Sequence, residues 1–180
     1  MFRTGDDAPV YLVDHVVHHD GDVRAWTGFT YDSPTSGIRR VGTRGTDGTV
    51  HVDGRPHPHL SGAIGGYGEH LVLAQMLGEQ QDATSWLQFD ESEPEAAAQR
   101  AILRREGLET TTLLDGSTVS AERVQLAVDG RASNAHWCVD GVVVKSDWCG
   151  AHSYLSHDLD ALRAGLDPGV AARIEEFAAR

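Results

Sequence analysis

Apolar and polar residues alternate along much of this chain. Val23, Ala25, Thr27 and Phe29 interleave with Arg24, Trp26, Gly28 and Thr30, a period of two that predicts a half-buried strand over Asp22–Tyr31. Val10–Val17 predicts a partner strand, joined to the first through His18-His19-Asp20-Gly21. Ile38–Arg44 and Thr49–Val52 form a weaker pair around Asp47-Gly48, and their Gly, Arg and Thr content suits a sheet edge. The pattern returns over Thr110–Leu114, Glu122–Val128, Asn134–Val139 and Val142–Ser146. Trp137–Val144 is nearly all apolar outside its turn, as in a central hairpin covered on both faces. Six Asp-Gly pairs, at residues 20, 47, 53, 115, 129 and 140, punctuate these runs. Both residue types tolerate the positive φ of a tight hairpin turn, so the strands are expected to run antiparallel.

Helical signals are fewer. Ser92-Glu93-Pro94-Glu95 has the spacing of a capping box, and Ala96–Arg105 is rich in good helix formers. Gly107 would then end the helix, with Leu108 folding back on Leu103. Ser156 caps a second expected helix holding Leu159 and Leu162, closed by Gly165. Asp167-Pro168 starts a third, with Val170, Ile174 and Phe177 on one stripe. Leu71–Ala74 and Met76-Leu77 fit either a strand or a helical turn, and the strand-like Thr84–Phe89 that follows favours a hairpin. The expectation is therefore an α+β fold: one antiparallel, meander-like sheet with a central helix and two short C-terminal helices, in a single domain over residues 1–180.

Net charge is −12, from 27 acidic against 15 basic residues. Such a balance argues against nucleic acid or an anionic membrane as partner, since both demand a cationic face. It suits a basic protein partner. No run approaches the roughly 20 apolar residues of a membrane span, and Asp6 and Asp7 stand where a signal peptide carries positive charge, so a soluble, cytoplasmic protein is expected.

Ten histidines raise the question of metal. Cys138, Cys149, His152 and His157 offer two thiolates and two imidazoles, a set suited to tetrahedral zinc, although ten residues separate the cysteines. His57, His59, Glu69 and His70 form a second candidate set for zinc or another divalent ion, on a Gly- and Pro-rich loop. Gly62–Gly68 resembles a phosphate cradle in glycine content but lacks the Lys and Ser/Thr of a P-loop. No Gly-x-Ser-x-Gly elbow is present. Trp26 alternates onto the same face as Arg24 and Thr30; if that face meets solvent, Trp26 and Arg24 are candidate partner-binding residues. Two functions compete on these grounds. One is a small acidic binding or regulatory protein of the immunity type, acting without catalysis. The other is a metal-dependent enzyme using the histidines of the 57–70 loop.

Overall fold

The computed structural model describes residues 13–156, 158, 160 and 168–178. They are mostly β, 51 % strand against 17 % helical, and their strands form two sheets. The first is a five-stranded antiparallel meander of β1 (Asp14–His18), β2 (Gly28–Ser33), β3 (Ile38–Arg44), β4 (Val50–Val52) and β5 (Arg55–Pro56). The second contains β6 (Ala63–Gly65), β7 (Ala83–Phe89), β8 (Gln99–Thr112), β9 (Thr118–Val128), β10 (Arg131–Val139), β11 (Val142–Trp148) and β12 (Ala151–Tyr154), in chain order across the sheet.

All pairs in the second sheet are antiparallel except β6 with β7. A parallel neighbour requires the chain to cross over before it returns. Helix α1 (Glu69–Gly78) supplies that crossing. Its Val72, Leu73, Met76 and Leu77 share one face and are buried. The segment expected as half of a hairpin is thus helical. The same buried core takes Trp26 from the β1–β2 connection, Phe29 from the first sheet, Phe89, Leu103, Val124 and Leu126 from the second, and this helix face.

Asp-Gly chemistry appears as expected at three turns. Asp53-Gly54, Asp129-Gly130 and Asp140-Gly141 hold both residues at positive φ, the geometry whose twist matches flanking strands. Two of these aspartates do a second job. Asp53 Oδ1 accepts from the Val41 amide at 3.0 Å, and Asp129 Oδ1 accepts from the Arg100 amide at 2.9 Å, so each turn is tied to a neighbouring strand.

The expected fold class is overturned at its centre. No helix forms over 92–105. Ser92 instead donates its amide and hydroxyl to Asp90 Oδ1, at 2.7 and 2.6 Å, in a local turn. Gln99–Thr112 is then the longest strand described, laddered to β7 on one side and β9 on the other. Helix propensities differ by only a few tenths of a kcal/mol per residue. Burying Ala101 and Leu103 on one face, with two complete backbone ladders, outweighs that preference. Gly107, at φ 103°, marks a bulge in this strand and not a helix end. The helix expected after Ser156 falls largely outside the described residues. Helix α2 (Pro168–Ala178) starts at the expected proline, while the side chains of Val170, Ile174 and Phe177 lie outside the described set. None of the described helices is long and apolar enough to cross a membrane.

Candidate functional site

A buried polar chain runs from the start of α1 into the second sheet. Glu69 opens the helix, and its Oε1 lies 2.5 Å from His136 Nε2 on β10. Its Oε2 accepts from Asn134 Nδ2 at 2.8 Å. On the far side of the imidazole, His136 Nδ1 lies 2.9 Å from Ser146 Oγ on β11. The cross-strand pairing of His136 with Ser146 sets that last contact. A carboxylate can only accept, so Nε2 carries the proton towards Glu69, while the Ser146 hydroxyl can serve Nδ1 as donor or acceptor. His70 and Trp148 close the group, with ring centroids 5.0 Å apart and 5.4 and 5.5 Å from that of His136. Burial pushes the His70 imidazole below its ordinary value, His136 adds to the shift, and Glu69 opposes it.

Serine, histidine and carboxylate in hydrogen-bonded sequence are the components of an acyl-transfer nucleophile. Access decides against that use here. His136 is 0 % and Ser146 2 % exposed, so the hydroxyl faces protein and not a cleft. The chain instead ties helix to sheet, with the buried donors and acceptors of Glu69 and His136 matched to one another.

The glycine-rich run does hold an anion, and the anion is the protein's own. Glu91, fully buried after β7, accepts from the amides of Gly66 at 3.0 Å and Tyr67 at 3.3 Å. His15 Nε2 lies 3.0 Å from Glu91 Oε1 without forming a hydrogen bond to it. A Cβ on Gly65 would lie 2.1 Å from Glu91 Oε1. Glycine is needed at this position for close approach. The amides that suggested a phosphate cradle are occupied by an internal carboxylate.

The two sets proposed for metal are not gathered into sites. His57 and His59 adjoin each other, ring centroids 5.7 Å apart, and face the 92–96 segment. Glu69 and His70 turn instead to His136 and Trp148. Cys138 is buried in the core, its thiol pushed up to about 11 by burial, whereas Cys149 is exposed. Cys149 Sγ lies 3.8 Å from Ser133 Oγ, and five strand residues, about 16 Å, separate Ser133 from Cys138. Two thiolates on one tetrahedral ion cannot stand that far apart. His152 faces Asp147 at 3.7 Å, and His157 lies outside the described residues. Among the described residues no group of three or more His, Cys, Asp or Glu side chains converges to hold a metal.

Trp26 also departs from expectation. It is 2 % exposed, donates from Nε1 to the Ala63 carbonyl at 2.8 Å, and packs on Phe29 and Phe89. The 3-10 turn at Val23–Ala25 breaks the alternation that would have put it outside. Arg24 is bonded to Thr84 on β7. Both residues join the two sheets together.

An open groove of about 590 Å³ lies elsewhere, between the β3–β5 margin and the 92–96 segment. Arg40, Asp53, Arg55 and His57 line one side over Val52, and Ser92–Ala96 lines the other. Sequence reasoning missed it because the 92–96 segment was expected as the first turn of a helix. Comparison of the chain with family models, with curated proteins and with solved structures gave no match.

Proposed function

We propose that this protein is an acidic binding module that engages a basic protein partner without covalent chemistry, as immunity-type proteins do. The observation that carries the reading is where the charged side chains stand. Glu93 and Glu95 are exposed on the lip of the groove, and the Glu93 carboxylate has no hydrogen bond or ion pair among the described residues. The Glu69–His136–Ser146 chain, by contrast, is sealed. Accessible polar groups are therefore those suited to recognition, and the constellation suited to chemistry is committed to packing. A net charge of −12 adds long-range attraction for a cationic partner and speeds encounter at low salt.

The test is capture of partners on immobilised protein at 50 and 500 mM salt, followed by mass spectrometry and re-binding with each purified candidate. A basic protein that re-binds stoichiometrically and weakens steeply with salt is the expected result. Binding indifferent to salt, or the absence of any partner that re-binds, counts against the reading.

A further inference from the structure

We infer that the groove between β3–β5 and residues 92–96 receives a segment of that partner carrying a basic and an acidic side chain together. The inference rests on the reading of the chain as a protein-binding module and goes further in naming the surface and the ligand chemistry.

Several charged and polar side chains around the groove lack a full set of partners. Arg55 is exposed and its guanidinium makes no hydrogen bond or ion pair among the described residues, and the same holds for the Glu93 carboxylate. Arg40 reaches Asp53 Oδ2 and the Arg39 carbonyl only at 3.4 Å each, and its Nε is buried with no partner. His57 is 3 % exposed and lines the groove, yet its imidazole makes no hydrogen bond to a described residue. Its Nδ1 stands 3.9 Å from Glu95 Oε2, too far for one. An imidazole that lines an open groove with no hydrogen bond of its own can serve a ligand as donor or acceptor.

These groups sit on opposite walls. Arg40 and Arg55 belong to the sheet margin, and Glu93 and Glu95 to the facing segment. A wholly basic segment would meet the arginines as like charges, and a wholly acidic one would meet the glutamates. A segment bearing both signs satisfies both walls, with its carboxylate taken by the arginine fork and its cation by the glutamates. A volume of about 590 Å³ accommodates the side chains of a short peptide stretch.

The probe is a set of three blocked tetrapeptides, each with two charged residues separated by two glycines: one arginine with one glutamate, two arginines, and two glutamates. Each is titrated into isotope-labelled full-length protein at low salt, following the backbone amides by NMR. The mixed peptide is expected to bind at least tenfold more tightly than either like-charged peptide, with shifts centred on Arg55, His57, Glu95 and Ala96. Arg55→Glu, an exposed change checked by an unaltered melting temperature, should weaken the mixed peptide about tenfold and shift preference to the two-arginine peptide. Equal binding of all three peptides, shifts centred elsewhere, or no effect of Arg55→Glu would overturn the inference. If Arg55→Glu and Glu93→Arg proteins still capture the wild-type partner undiminished, the groove is wrong and the binding module stands. If neither peptide nor partner binds, both readings fall.

Discussion

Glu69 and His136 are 67 residues apart in sequence and 2.5 Å apart in the fold, both buried. Their contact joins the first turn of α1 to the middle of the second sheet. Removing one partner leaves the other's polar atoms buried and unmatched, a cost of about 3–5 kcal/mol for a buried pair. Glu69→Leu is therefore expected to lower the urea midpoint sharply without changing the slope. Ser146→Ala, which leaves only Nδ1 of the buried His136 without its partner, should cost less, about 1–3 kcal/mol.

Gly65 and Gly66 are adjacent but not equivalent. A methyl group at Gly65 would run into the Glu91 carboxylate, whereas at Gly66 its nearest neighbour is the Phe89 carbonyl at 3.5 Å, an ordinary contact. Gly65→Ala should destabilise by about 1–3 kcal/mol, the usual cost of overpacking. Gly66→Ala should leave the thermal midpoint nearly unchanged. Similar losses from both would mean that Glu91 does not sit against this backbone.

The strand at Gln99–Thr112 predicts a contrast between two leucines. Leu103 is fully buried, so Leu103→Ala should cost about 3 kcal/mol. Leu108 is 77 % exposed, and Leu108→Ala should fall within about 0.5 kcal/mol of wild type. A helix cap, in which Leu108 packs on Leu103, would instead make both substitutions costly. Denaturant titration of the two variants separates the alternatives.

Thiol reactivity should divide the cysteines. Cys149 is exposed, and Cys138 is buried with its thiol pushed up to about 11. Because the thiolate is the reacting species, iodoacetamide at pH 8 is expected to label Cys149 alone in the native protein. Both should react in denaturant, as peptide mass spectrometry would show.

His70 sets a direction for stability against pH. Its imidazole, ordinarily near 6.5, is held lower in the fold, chiefly by burial. Below that ordinary value the unfolded chain takes up the proton more readily than the folded one. Stability from this group is thus fully present above pH 6.5 and declines as pH falls, levelling off once the folded form also protonates. Comparison of wild type with His70→Gln between pH 8 and 5 should show a shallower decline in the variant.

Local chemistry carried much of the strand layout. Alternation at Val124 and Leu126 announced a strand that the structure contains, and the alternation running from Val23 to Phe29 announced one that begins only at Gly28. The Asp-Gly pairs at 53, 129 and 140 announced turns with both residues at positive φ. These features depend on a few neighbouring residues, so they can be read without the rest of the chain. The 92–105 segment misled because Ser92, Glu95 and the alanines satisfy every local rule for a helix. What overrules them is β7 and β9, which arrive on either side from elsewhere in sequence. The reading of Trp26 failed for a related reason, since one 3-10 turn shifted its face.

The sequence by itself determined the β-rich pattern, the positions of several turns and the acidic balance, since each follows from short-range conformational preference or from composition. Tertiary structure alone decided that the strands divide into two sheets, that α1 crosses between parallel β6 and β7, and that Glu91 fills the glycine-rich amides. It also decided which polar residues come together: His136 between Glu69 and Ser146 in the interior, and Arg55 and Glu93 as lining of one groove. The physical reason is common to all of these. They are contacts between residues distant in sequence, fixed by which apolar faces can be buried together, and no local pattern encodes that choice.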